Sequence, residues 1–235
     1  KVVNPADNNA AMVKRVGTKI ANAITHFYAK QGKANVLEGY KWEFNLVDNK
    51  EINAWCMPGG KVVVYTGLLA VTQNETALAI VLGHEITHGF DDQGRQYDDK
   101  GNLKSWWTKT DEDAFTKRAE VMITQFNKYE PIKGYHINGK ATLGENIADL
   151  GGILLGLEAF KKTKQYKENK SISNLTPMQR YFMGYALGWL GHYREETQRN
   201  RLLTDVHSPG KYRVNGPFVD VDEFYTTFNI NPGDN

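Results

Sequence analysis

A single cysteine, Cys56, stands among 235 residues, so no internal disulfide braces the chain. Its framework must therefore come from a buried core, with or without a metal, and Cys56 itself reads as a small buried hydrophobe. No run of about 18 apolar residues occurs, so no segment is expected to span a bilayer. The most apolar stretches, residues 62–71 and 77–83, are broken by Tyr65, Thr66 and Gly67 or are too short. Charge of one sign is equally scarce: 29 Lys and Arg against 27 Asp and Glu leave +2. That balance supplies no electrostatic reason to bind nucleic acid. There is no internal repeat, and no linker long enough to separate domains. Neither a methionine nor a signal-type apolar stretch opens the chain at Lys1, which reads as a mature or trimmed form. What is present, 40% hydrophobic and 24% charged residues, is the composition of a soluble globular chain. At this length it can bury roughly 70% of its unfolded surface.

Hydrophobic spacing orders the elements. Val13, Val16, Ile20, Ile24 and Phe27 recur at helical spacing and predict an amphipathic helix over about residues 8–31. The period then drops to two, with Trp42, Phe44 and Leu46 alternating with polar residues as in a half-buried strand. Asp48-Asn49-Lys50 and Pro58-Gly59-Gly60 read as turns between this strand and two more, near residues 52–57 and 62–66. A small, mostly antiparallel N-terminal sheet is expected. Asn74 is placed to cap a helix carrying Ala77, Ile80, Val81 and His84. Thr110 with Asp113 resembles a capping box opening a helix to about Tyr129. A further helix is expected from Leu143 to Lys164, its glycines at 151, 152 and 156 serving close approach of a neighbour. Pro177 suits the first turn of a helix to Glu196, and the tail from residue 208 reads as loop with a short helix over 221–228.

Chemistry concentrates in His84-Glu85-Ile86-Thr87-His88. On a helix, residues i and i+4 lie about 40° apart, so both imidazoles can share one metal ion. Glu85, about 100° round from His84, can reach a water at such an ion without ligating it. A second helical pair, Glu145 and Asp149 within Gly144-Glu145-Asn146-Ile147-Ala148-Asp149, presents two carboxylates on one face. A catalytic zinc takes three protein ligands and a water, and Glu145 completes a His-His-Glu set. Asp149 is then suited to accept a hydrogen bond from the non-ligating nitrogen of a histidine. A purely structural zinc would need a fourth protein ligand, for which His26, His136 and His192 have no suitable spacing.

This pairing is similar to the gluzincin metallopeptidases, and from His84 onward the chain resembles the neprilysin family. The residues that carry the resemblance are Gly83 to Gly94, Trp106-Trp107-Thr108, Asn138-Gly139, Thr142 to Gly151, and Thr204 to Arg213. Upstream, Trp42-Glu43-Phe44, Ile52-Asn53-Ala54-Trp55, Met57-Pro58-Gly59-Gly60-Lys61 and Val64 to Leu69 look like the prenyl-protease, HtpX-like and Oma-type peptidases. The two resemblances meet in the His84–His88 helix, so the chain reads as a natural or engineered chimera.

The resemblance implies an α+β, compact zincin (thermolysin-like) fold in a single catalytic domain of residues 1–235. Residues 1–90 would form an upper lobe with the zinc helix, and residues 91–235 a helical lower lobe. It implies that His207 stabilises the oxyanion and that Arg213 hydrogen-bonds the peptide carbonyl beyond the cleaved bond. Trp189 and Val81 would line a hydrophobic pocket for the residue after that bond. Asn53 and Ala54 would lie on an edge strand that pairs with an extended substrate. The expected activity is zinc-dependent endopeptidase cleavage of peptides, with one Zn²⁺, from an extracytoplasmic location such as the bacterial periplasm or cell envelope. Relative to the family pattern, the upstream helical region enclosing the cleft is missing. That departure leaves a second reading, a zinc-binding scaffold that holds peptides or inhibitors with little catalysis.

Overall fold

Val13, Val16, Ile20 and Ile24 lie on one buried face of helix α1 (Asn8–Lys30) in the structure, a computed structural model describing residues 1–30, 32 and 37–231. Residue 31, the expected end of this helix, falls outside that set. Phe27, the fifth member of the expected stripe, is instead 55% exposed. The buried face rests on three strands, β1 (Glu43–Val47), β2 (Ala54–Met57) and β3 (Lys61–Tyr65), in the order β1-β3-β2.

The sheet is mixed rather than mostly antiparallel. β2 and β3 form the expected hairpin across Pro58-Gly59-Gly60, with Ala54 opposite Val64. β1, however, runs parallel to β3, with Glu43 beside Lys61 and Val47 beside Tyr65. The physical reason is that β3, with Val62 and Val64 both fully buried, takes the centre. Residues 48–53 then carry the chain past the end of β3 instead of turning back on β1. That crossing is pinned at Asn49, whose carbonyl accepts from the Thr66 hydroxyl and the Gly67 N–H, each at 2.9 Å. The outer edge of β1 is covered by Val2, which bridges Val47. The outer edge of β2 has no strand partner among the described residues.

After the short helix α2 (Thr66–Thr72), the Asn74 side chain accepts from Ala77 N–H at 2.9 Å and opens α3 (Glu75–Thr87), as its sequence predicts. α3 is apolar on most sides because it is covered on most sides: the sheet and α1 lie on one face, α5 (Leu143–Lys161) on another. Leu78, Leu82 and Ile86 join the sheet-side core with Val13, Ile20, Val62 and Val64. Ile80 joins a second core built by α5, α7 (Pro177–Leu187) and the helices near the C-terminus, with Leu157, Phe182 and Phe218.

α3 and α5 approach closely, and the glycines serve the purpose expected of them. A Cβ on Gly152 would stand 2.7 Å from the Ile80 carbonyl oxygen and 3.0 Å from the His84 nitrogen. Because both are backbone atoms, relief requires the helices to separate. Gly152→Ala is therefore expected to cost about 1–3 kcal/mol, lowering the melting temperature by several degrees. Differential scanning calorimetry of the zinc-free variant checks it.

Elsewhere the boundaries shift. α4 (Lys109–Asn127) is capped by Thr108, which accepts from Asp111 N–H at 3.2 Å, and not by the expected Thr110. α5 stops at Lys161, and Thr163 caps a separate turn, α6 (Lys164–Glu168). α7 ends at Leu187 before Gly188, and α8 (Glu195–Thr204) follows as a second helix. The tail holds α9 (Gly210–Phe218) as well as α10 (Asp222–Phe228). Pro217 argues against α9 in sequence, since it has no N–H for the carbonyl of Arg213 four residues back. The Tyr185 hydroxyl supplies the missing donor to that carbonyl, at 3.0 Å.

Candidate active site

α3 carries His84 in its last turn, and His88 follows directly in a single 3-10 turn, His88–Phe90. Glu145 projects from the first turn of α5, near the positive end of that helix. Their donor atoms converge: His84 Nε2 is 3.5 Å from Glu145 Oε2, and His88 Nε2 is 3.5 Å from Glu145 Oε1. The two imidazole Nε2 atoms face each other at 3.1 Å, and all three ligand atoms lie within 4.8 Å of one another. Two ring nitrogens and a carboxylate pointed at one spot form a donor set for a divalent cation. Three protein ligands with an open position suit catalytic zinc. The residues fit the ion.

Each histidine has a carboxylate on its other nitrogen. His84 Nδ1 is 3.0 Å from Asp149 Oδ1, and His88 Nδ1 is 2.7 Å from Asp91 Oδ2. Such bonds fix the tautomer and leave Nε2 free for a metal. In the sequence Asp91 stands within the Gly83 to Gly94 stretch that carries the resemblance, with no role of its own. The available signal was its position three residues beyond His88. Its other oxygen accepts the N–H groups of Gln93 and Gly94, at 2.8 and 2.7 Å, which holds it in place.

Asp149 is fully enclosed, and Arg213 meets it with both Nε and Nη2 at 2.7 Å. The same Nη2 reaches Glu145 at 3.2 Å, and the guanidinium lies 4.1 Å from the centre of the Trp189 ring. Burial would raise the Asp149 carboxyl, but Arg213 and His84 outweigh it and hold the group below its ordinary range. Glu145 is lowered likewise: burial opposes ionisation, while His84, His207 and Arg213 favour it. For His84, burial disfavours the charged ring, yet its bonds to Asp149 and Glu145 raise the metal-free group to about 9. Glu85 is raised, chiefly by burial and further by Glu145, against the opposing charges of His84, His88 and Arg213.

His207 enters from the loop before α9, with Nε2 3.3 Å from Glu145 Oε1. Asp205 holds it through Nδ1 at 2.7 Å and through its backbone N–H at 3.0 Å. Asp205 likewise lies in a stretch that carries the resemblance, Thr204 to Arg213, without a role of its own. A buried chain fastens this loop to α5: Ser208 donates to Asn146 at 2.8 Å, and Asn146 to Thr142 at 3.0 Å. Ala54 opens the edge strand β2, and the Asn53 carbonyl just before it accepts from Tyr65 N–H. Cys56 on the same strand is half-buried, and burial together with the nearby Glu85 charge pushes its thiol up to about 12. Val81 and Trp189 are not brought into one cluster: Val81 packs on the sheet-side core, Trp189 on the helical one.

A family profile described as "Peptidase family M13" matches residues 64–235, and one described as "Peptidase family M48" matches residues 10–96. Their overlap, residues 64–96, contains α3, in agreement with the two resemblances that meet there. Endothelin-converting enzyme 1 of Homo sapiens is 38% identical over 172 residues, covering 72% of this chain and 22% of the relative. Neprilysin-3 of Drosophila melanogaster is 35% identical over 196 residues, covering 77% and 25%. The chain thus spans about a quarter of the length of these relatives. The cryo-EM structure of the Mycobacterium tuberculosis zinc metalloprotease Zmp1 in its open state superposes with a TM-score of 0.70. It is 35% identical, with 78% of this chain and 31% of that one covered. With most of its length matched by that first profile, and the two histidines and Glu145 brought together at the helix crossing, the chain belongs to peptidase family M13.

Proposed function

We propose that this chain is a zinc-dependent endopeptidase acting on flexible peptides. The observation that carries the reading is the convergence of His84, His88 and Glu145 with Glu85 one residue along from the first ligand. A zinc ion held by the three would supply Lewis acidity, polarising the scissile carbonyl and acidifying a water. Glu85 takes the proton of that water and delivers it to the leaving amine. Asp149 and Asp91 hold the two imidazoles in the tautomer that keeps Nε2 toward the ion. His207, steadied by Asp205, donates a hydrogen bond to the developing oxyanion.

Arg213 has Nε and Nη2 engaged with Asp149 and Glu145. Its Nη1 is left to donate to the peptide carbonyl beyond the cleaved bond. The free edge of β2, with Asn53 and Ala54 at its start, supports main-chain pairing with an extended peptide. Val81 and Trp189, on the two cores, would flank a hydrophobic side chain after that bond. No described helix is long and apolar enough to cross a membrane. The reading includes a site of action outside the cytoplasm, in the periplasm or cell envelope.

Hydrolysis of internally quenched peptides by the zinc-loaded protein, abolished by a chelator and restored by zinc, tests the activity. Stoichiometric zinc without cleavage of a varied peptide set would overturn it in favour of a binding scaffold. Zinc binding has its own pH signature. With His84 at about 9 in the metal-free protein, the ring is protonated at neutral pH and must lose that proton to ligate. Zinc affinity should rise about tenfold per pH unit from neutrality toward pH 9 and then level, as competition titrations in weakly chelating buffers would read.

A further inference from the structure

Beside the far end of β2 lies a cleft of about 760 Å³ that none of the metal donors lines. One wall is a chain of rings. Tyr40 stacks on Phe90 at 6.0 Å, Phe90 meets Trp106 edge-on at 6.3 Å, and Trp106 meets Trp107 at 5.8 Å. Among the described residues the charged lining is mostly acidic: Glu38, Asp98, Asp99 and Asp111 against Arg118. Asp98 and Asp111 are occupied locally, accepting from Asn102 and from Thr108. Glu38 and Asp99 are therefore the carboxylates of the lining available to a ligand. Ring faces attract cations through their quadrupoles, and nearby carboxylates add to the same preference. A neutral apolar ligand gains the ring contacts but not the charge, and an anionic one meets more carboxylates than the one guanidinium.

The cleft adjoins the strand on which a peptide would lie. Gly59, in the turn that ends β2, packs so closely on Asp99 that a Cβ there would stand 2.6 Å from its carbonyl oxygen. At the other side, Phe90 is two residues beyond His88. The pocket is also composite: Glu38 and Tyr40 fall in the segment matched by the M48 profile, while Trp106, Trp107 and Arg118 lie beyond it. Antiparallel pairing is the stronger ladder, and it would run the N-terminal side of a peptide from Ala54 toward Met57 and the cleft.

We propose that this aromatic, acidic cleft binds the cationic side chain of a lysine or arginine lying N-terminal to the cleaved bond. The position relative to the bond rests on the peptidase reading, whereas the preference for a cation does not.

The test compares peptide pairs that differ only in lysine against acetyl-lysine, moved through successive positions before the bond. Cleavage is read as kcat/KM on the zinc-loaded protein. Binding is read separately on the zinc-free protein, from the change in tryptophan fluorescence. At one position the lysine peptide should be favoured about five- to tenfold in both readouts, less so at high salt. The double variant Glu38→Gln/Asp99→Asn should bring the ratio toward one. Equal binding and equal cleavage of the pair at every position in the parent protein would overturn the proposal while leaving the activity standing. Lysine-selective binding without any cleavage would uphold the pocket and overturn the peptidase reading. The comparison within the parent does not depend on the variant folding.

Discussion

Glu85→Gln is expected to lower kcat by about two to four orders of magnitude while one zinc per chain stays bound. The amide matches the carboxylate in volume and shape, so the packing of α3 against α5 and β2 has no reason to change. It cannot accept the proton of an attacking water. Because the convergent donors are His84, His88 and Glu145, the substitution leaves the donor set intact. The raised carboxyl of Glu85 supports the same role: burial and the Glu145 charge make it a more willing proton acceptor than an exposed glutamate. Metal content by atomic absorption and hydrolysis of a quenched peptide check the two halves. Retained turnover would remove Glu85 from the chemistry, and lost zinc would make it part of the coordination.

What was legible in the sequence follows from which interactions are local. Helical periodicity is a property of one element, so His84 with His88 and Glu145 with Asp149 could each be put on one helix face from spacing alone. Gly151, Gly152 and Gly156 could be read as contact glycines because three costly residues in an otherwise apolar helix require a tertiary reason. Sheet order was not legible, since parallel pairing of β1 with β3 is decided by which strand takes the buried centre. Residues 48–53 look the same whether they turn back or cross over. α9 was hidden by Pro217, because the donor that makes it tolerable, Tyr185, is distant in sequence and supplied by another helix. Asp91 and Asp205 sit in loops without periodicity, and their role appears only once the rings they orient are in place. Arg213 shows the same limit: the resemblance implied a substrate contact, whereas its bidentate hold on Asp149 is visible only in the fold.

That hold makes Asp149→Asn the substitution with the largest expected effect on stability. Removing one partner of a buried ion pair leaves the other uncompensated, at about 3–5 kcal/mol. For a chain of this size the melting temperature should fall by on the order of 10 °C. The loss should be seen in the zinc-free protein, since Arg213 keeps only its 3.2 Å contact with the Glu145 carboxylate whether or not metal is bound. In the zinc-loaded protein a second effect adds to it. His84 loses the charged acceptor on Nδ1, and zinc affinity should drop about 10- to 100-fold.

The pH dependence separates these contributions by sign. Asp149 is lowered in the folded protein, so its stabilisation is full above the unfolded value of about 3.9 and disappears as pH falls through the folded value. The difference between parent and variant should therefore be steady only between the unfolded values of Asp and His, about 3.9 and about 6.5, and shrink in stronger acid. The raised His84 of the zinc-free protein acts in the opposite direction. Its contribution is full below the unfolded value of about 6.5 and is lost as pH rises through about 9. Urea melts of both zinc-free proteins across that range measure each limb. A difference that held constant from acid to alkaline pH would mean that Asp149 acts by shape and not by charge, and the electrostatic account of the site would fail with it.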